Sequence, residues 1–256
     1  MRSKNRNQTY SAPQKSDNDR IVFGIHAVEA TLRYMPKRAV KLSLLQKNAR
    51  LDVLERLAKQ AHIPVVYPTK DDIGTLIGGE LVHQGAILHC NSYPYVDLAE
   101  VLEDPPDLCV VLDGVEDPRN LGRAARSAFA FGAKLLVVAK DRAAPVTGVA
   151  EKAAVGALAR IQVAQVTNLK RALDDLKKAG LWVTGTASEA KVPAWKCDFK
   201  KPTALVIGSE EKGMSRLVQE SCDELVSLPM AASDMSLNAA DAATVVLYEV
   251  NRQRRN

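Results

Sequence analysis

The chain has 256 residues, 46% of them hydrophobic and 25% charged, a balance that allows one large or two small globular domains with a real core. No apolar run approaches the roughly 18 residues of a membrane span, and the polar, basic N-terminus lacks a signal-peptide stretch, so a cytoplasmic protein with no membrane contact is expected. The net charge of +5 sits at the ends: residues 1–20 carry five basic and two acidic groups and the last six carry three arginines, whereas the body holds 27 basic against 28 acidic residues. Basic arms of this kind suit loose phosphate contact as well as plain solubility. Four cysteines without C-x-x-C spacing argue against a disulfide frame or a zinc site, and buried free thiols are expected.

In chain order, residues 1–19 show no hydrophobic period and read as a disordered basic arm. From 20 to 90 an apolar start at 21–23 leads to a helix over 27–33, then a strand at 40–45. A helix carrying Leu51, Leu54, Leu57 and Ala58 follows, then a strand at 64–67, a helix near 71–77 and a strand at 86–90. Residues 91–107, with three prolines, read as a linker holding a short helix at 96–102. From 108 to 256 the pattern predicts strands at 109–112, 135–139, 161–166, 181–184, 204–207 and 225–228. Helices are predicted over 121–131, 148–158, 168–179, 215–222 and 238–252. Short uninterrupted apolar strands separated by helices point to an α/β fold with a parallel sheet covered on both faces.

Ligands of such sheets sit beyond the carboxyl ends of the strands, so three strand-following loops draw the chemistry. They are 113–122, running into a helix with Arg123 and Arg126, then 208–214, and then 229–238, which opens the last helix. In the first helix Leu121, Ala124, Ala125, Ala128 and Phe129 form a core stripe, with Asp117-Pro118 as start and Gly132 as stop. Asn120 and Arg126 fall off that stripe; Asn120 fits a helix cap, and Arg126 a solvated charge, as readily as a place in a site. The second loop has the glycine spacing of a P-loop but Met214 where the phosphate-binding lysine belongs, which leaves an NTPase reading weak. No G-x-G occurs anywhere, which removes the Rossmann fingerprint.

Taken together, the loops resemble the three motifs of the SpoU/TrmH branch of the SPOUT RNA methyltransferases. Asp-Pro-x-Asn-Leu-Gly stands at 117–122 with Arg126 six residues after Asn120, Gly-x-Glu-x-x-Gly at 208–213, and Ser-Leu-Asn at 236–238. Phe23-Gly24-Ile25-His26-Ala27-Val28 and His83-Gln84-Gly85 are similar to the smaller L30e-like α/β domain that precedes the catalytic domain in the enzymes acting on large-subunit rRNA. The resemblance implies an N-terminal RNA-binding domain over 20–90 and, over 108–256, a parallel-sheet SPOUT domain with a deep trefoil knot, an exception to the rule against knots. It implies S-adenosylmethionine-dependent methylation of a ribose 2′-hydroxyl, of a guanosine in 23S rRNA; a tRNA guanosine substrate or a non-catalytic rRNA-binding assembly factor are the alternatives. It implies catalytic roles for Asn120, Arg126, Glu210, Ser236 and Asn238, and a cofactor pocket formed by Gly208, Leu228 and Leu237 with Thr186, Gly213 and Met230. It implies a homodimer in which the first motif of one protomer meets the cofactor of the other, and no metal. Where the family continues with Val-Ser-Val-Ala, this chain has Ala239-Ala240-Asp241-Ala242; an acid there suits the positive end of the helix.

Overall fold

The computed structural model describes residues 21–45, 49–69, 83–232 and 236–255; the expected arm at 1–19 and helix near 71–77 lie outside these residues. The N-terminal unit is a four-stranded sheet in the order β1-β4-β2-β3, built from β1 (Ile21–Phe23), β2 (Ala39–Leu44), β3 (Val65–Val66) and β4 (Ala86–Cys90). β4 runs antiparallel to both its neighbours, and β3 lies parallel to β2. Helices α1 (Ile25–Tyr34) and α2 (Ala49–Gln60) turn Val28, Leu32, Leu51 and Leu54 onto one face of the sheet, with Leu42, Leu44 and Leu88 beneath them. Alternation along β1 and β4 sends Ile21, Phe23 and Ile87 to the opposite face, where they meet Val149 of the second unit.

That second unit is a seven-stranded, wholly parallel sheet in the order β7-β6-β5-β10-β8-β11-β9. Its strands are β5 (Leu108–Asp113), β6 (Leu135–Ala139), β7 (Gln162–Val166), β8 (Trp182–Thr186), β9 (Val192–Pro193), β10 (Thr203–Gly208) and β11 (Glu224–Ser227). Its helices are α4 (Pro118–Ala130), α5 (Gly148–Ala154), α6 (Leu169–Lys178), α7 (Arg216–Glu220) and α8 (Ala239–Arg255), with a one-turn α3 (Leu98–Val101) ahead of them. The period of two along β5 shows why both faces are covered. Leu108, Val110 and Leu112 pack with Leu121 and Ala125 of α4 and Val246 and Leu247 of α8, whereas Cys109 and Val111 pack with Leu173 and Leu176 of α6. Three cysteines are buried and Cys222 is half-buried, all four as free thiols.

One expectation needs correction. The helix expected over 148–158 stops at Ala154: Val155 and Gly156 turn left-handed (φ 51° and 89°), and a 3-10 turn over Ala157–Ala159 follows. Its alanines continue a helical period, but tertiary packing overrides it, because at Gly156 a Cβ would stand 2.7 Å from that of Ala30 in α1. The segment 91–107, expected as a linker, lies against the second unit. Tyr93 is buried and donates to the Leu158 carbonyl (2.7 Å), Tyr95 Oη accepts from the Val146 N–H (2.8 Å), and Val96 pairs beside β7. The unforeseen β9 carries a proline, which an edge strand tolerates.

A buried ion pair joins the two units. Arg38 holds Glu151 of α5 through Nη1–Oε2 (2.9 Å) and Nη2–Oε1 (2.8 Å), with side chains 4% and 5% exposed. Its Nε donates to the Asn91 carbonyl (3.0 Å), and its guanidinium lies 5.3 Å from the Tyr93 ring centroid. At the far end of α8, Arg254 donates to the carbonyls of Asp107, Phe199 and Lys201 at 2.8–2.9 Å, tying the chain's last turn to the amino edge of the sheet.

Candidate active site

Strand order reverses between β5 and β10, and their last residues, Asp113 and Gly208, stand side by side in the ladder. The loops that leave them diverge and open a crevice, the usual ligand position in a parallel sheet. A cleft of about 370 Å³ lies there, reaching across to Thr186 at the end of β8. Gly208, Gly213, Leu228, Met230 and Leu237 line it with Thr186, so all six residues assigned from the sequence to the cofactor share one cavity. Met230 and Leu237 are each 38% exposed and present apolar wall to it. Glu210 and Ser236 also face this cleft.

Asn120, Glu210 and Asn238, one from each loop, meet at its lip. Asn120 Nδ2 donates to Glu210 Oε1 (2.5 Å); Asn238 Nδ2 donates to that oxygen too, and to Asn120 Oδ1 (3.1 Å). Asn238 Oδ1 accepts the Ala240 N–H (2.9 Å), so the residue also caps α8. Asn120 is not the cap of α4: Asp117 takes that place, accepting from the Arg119 N–H (2.8 Å). Asn120 is thereby free to face the site.

Gly208 is required by the chain's own crossing. A Cβ there would stand 2.2 Å from Gly213 C and Met214 N, so the strand end passes directly beneath the next loop. Gly208→Ala is expected to force this crossing apart at a cost of about 1–3 kcal/mol, read as a lowered midpoint in chemical unfolding. An unchanged midpoint would mean that the loop yields freely. The 209–213 turn closes on itself through reciprocal Ser209 and Gly213 backbone bonds (3.0 Å each), and Met214 is buried in the core. Those two N–H groups are therefore spent within the turn, and a buried methionine stands where a P-loop places its phosphate-binding lysine.

Arg126 is not brought to this cleft within one chain. It is exposed on α4, makes no hydrogen bond or ion pair among the described residues, and lines a separate cleft between the two units. The two N-terminal signatures do meet, the Ile25 N–H donating to Gln84 Oε1 (3.1 Å).

Sequence reasoning missed three contacts. The Ser215 N–H donates to Asp113 Oδ2 (2.6 Å), stitching the loop after β10 to the end of β5. Glu189, on the cleft wall, accepts from Gln219 Nε2 (2.9 Å) and Ser188 Oγ (3.1 Å). Its own backbone N–H and then these two donors hold its carboxyl below the usual carboxylate range. Asp241 pairs with Arg123 of α4 (2.5 Å), both half exposed, rather than merely facing the helix end. The acid was visible as a departure at 241, but nothing local pointed to a partner 118 positions away. Among the described residues, no group of three or more His, Cys, Asp or Glu could hold a metal ion, and no helix is long and apolar enough to cross a membrane.

Residues 107–248 match the SpoU rRNA Methylase family, and residues 21–96 match the RNA 2′-O ribose methyltransferase substrate binding family. The chain is 41% identical over 241 residues to the 23S rRNA (guanosine-2′-O-)-methyltransferase RlmB of Pseudomonas putida, covering 91% of this chain and 96% of that one. Among solved structures it resembles the SpoU methyltransferase AviRb from Streptomyces viridochromogenes in complex with the cofactor AdoMet. That likeness has a TM-score of 0.77 at 28% identity and covers 92% of this chain and 90% of that one. The A. aeolicus TrmH/SpoU tRNA modifying enzyme is similar over 62% of this chain and 81% of its own, at 30% identity and a TM-score of 0.53.

Proposed function

The chain belongs to the SpoU rRNA methylase family, and from that premise we propose that it methylates the ribose 2′-hydroxyl of a guanosine in 23S rRNA, using S-adenosylmethionine. The observation that carries this reading is the meeting of Asn120, Glu210 and Asn238 at the mouth of the cleft, where three loops distant in sequence share one carboxylate oxygen. The residues fit the cofactor. Glycine backbone at 208 and 213 and apolar walls at Leu228 and Leu237 suit an adenosine, and the cleft volume is in the range of small-molecule sites. When bound, the cofactor supplies an electrophilic methyl group.

The protein's part is positioning, worth about 7–11 kcal/mol in the best-oriented cases. Glu210, fixed by two amides, orients Asn120 and Asn238, and these with Ser236 hold the ribose at the cleft mouth. Arg126 holds the neighbouring phosphate and polarises the hydroxyl; a guanidinium does not deprotonate, so water or phosphate takes the proton. Because Arg126 faces away from its own chain's cleft, it acts in the cleft of a second copy. The exposed Val245 and Tyr248 on α8 (48% and 58%) give that homodimer an apolar seam. The return of α8 onto α4, after β11 has been laid beyond β8, supports a threaded, knotted C-terminal segment.

The substrate-binding match over 21–96 and the near-full-length likeness to rRNA enzymes favour rRNA over tRNA. The departure at 239–241 is compatible with catalysis, because Ala239 and Ala240 are buried and Asp241 is paired outward with Arg123. The test is incubation of the protein with unmodified 23S rRNA and with tRNA in the presence of labelled S-adenosylmethionine, followed by mapping of the methylated ribose. Label on tRNA alone, or on neither, would overturn the assignment.

Binding to the folded state alone must stabilise it. S-adenosylmethionine at a hundredfold excess over its Kd is expected to add about 2.7 kcal/mol, seen as a raised melting temperature, and ATP is expected to add nothing. A shift with ATP and none with the methyl donor would point to a different cofactor.

A further inference from the structure

A second cleft, of about 330 Å³, runs between the two units, with α1 on one side and α4 and the 155–160 turn on the other. Three of its lining residues carry positive charge, Arg33, Arg126 and Arg160, against one acid, Glu29. Glu29 is already paired with Arg33 (2.8 Å), while Arg126 and Arg160 have no carboxylate partner among the described residues. The Arg160 guanidinium lies 4.9 Å from the Tyr34 ring centroid and 4.3 Å from that of Phe129, so it sits between an aromatic of each unit. Tyr34 is 53% exposed and also borders a neighbouring groove that continues past Arg33 to Lys37. A positive groove punctuated by an exposed aromatic is the arrangement that holds single-stranded nucleic acid, the charges tracking phosphates and the ring stacking a base.

The wall of this cleft is also strained. Val155 adopts φ 51° and ψ 41° while 41% exposed, a conformation that a β-branched side chain rarely takes. Strain of this kind persists where the surroundings fix it, and it gathers at ligand sites. Here it turns the chain so that Gly156 can lie against α1 and bring Arg160 over Tyr34.

We propose that this cleft holds the unpaired RNA nucleotides next to the methylated ribose, Tyr34 stacking a base while Arg33 and Arg160 meet phosphates. The proposal rests on the methyltransferase reading and extends it. Arg126 lines the same cleft, so the chain that grips the flanking RNA is the one that sends its arginine to the hydroxyl, and the partner copy supplies the cofactor.

The test measures binding of unmodified, in vitro transcribed 23S rRNA to the full-length protein over a salt series, with melting temperature and S-adenosylmethionine affinity recorded for each variant. Tyr34→Ala is expected to weaken RNA binding by roughly 5- to 100-fold, and Tyr34→Phe to leave it near wild type. Arg33→Gln and Arg160→Gln should each lower the slope of log K against log salt by about one, at unchanged cofactor affinity. If the wild type methylates rRNA but these variants keep its RNA affinity and salt slope, the cleft assignment is wrong and the function stands. A fall in RNA binding that merely follows a fall in melting temperature and cofactor affinity would show the cluster to be glue between the units, which also overturns the proposal. A wild type that methylates nothing brings down the underlying reading instead.

Discussion

Arg126→Lys is expected to remove most turnover, by about 100-fold or more, while leaving S-adenosylmethionine affinity nearly unchanged. Arg126 is exposed and makes no hydrogen bond or ion pair among the described residues, so the substitution should cost the fold no more than about 0.5 kcal/mol. Lysine keeps the charge but loses the planar fork that can engage a phosphate oxygen and a hydroxyl together. A group that acts only when the reaction proceeds lowers kcat and leaves cofactor binding alone. Steady-state kinetics on rRNA with calorimetric titration of the cofactor separates the outcomes. Near-normal turnover would return Arg126 to the status of a solvated charge, and lost cofactor binding would mean that it lies in the pocket after all.

Arg38→Met should destabilise the protein by about 3–5 kcal/mol, the usual cost of stranding one member of a buried ion pair. Glu151 sits on α5 with its side chain 5% exposed, and Arg38 is the group that pairs with its carboxylate oxygens; a thioether cannot. For a chain of this length the loss corresponds to a fall in melting temperature of roughly 6–20 °C. The double variant Arg38→Met/Glu151→Leu should recover most of the loss, because an apolar pair of similar volume replaces both charges. A single variant that melts within a degree or two of wild type would show that water reaches the pair. Removal of residues 1–90 takes Arg38 away in the same manner, so a truncated chain tests stability as much as RNA reading.

What could be read in advance divides along sequence distance. The parallel α/β architecture was legible because strands such as β5 and β10 are short, apolar and bounded by turn residues, and the three loops because each motif is contiguous. Asn120 was ambiguous on local grounds: the helix does start at Asp117, as Asp117-Pro118 suggested, but only the structure turns Asn120 to Glu210, 90 positions on. The break at Val155 was hidden because its alanine-rich surroundings keep a helical period, and the deciding contact, with Ala30, comes from the other unit. Arg38 and Glu151 stand 113 residues apart, and neither neighbourhood marks them for burial. Arg126 was singled out by motif, but its direction, away from the cleft its own chain builds, is a property of how α4 is rotated in the fold.

The strand order also sets a timetable for the nascent protein. The first sheet draws all its strands from residues 21–90, so a ribosome making the chain from its N-terminus releases everything that sheet needs early. β5 has no such luck: its second partner, β10, emerges some ninety residues later, and the carbonyl of Asp107 waits for Arg254 in the last turn of α8. The second unit therefore closes only once its last helix has emerged, long after every strand of the first sheet is in place to pair.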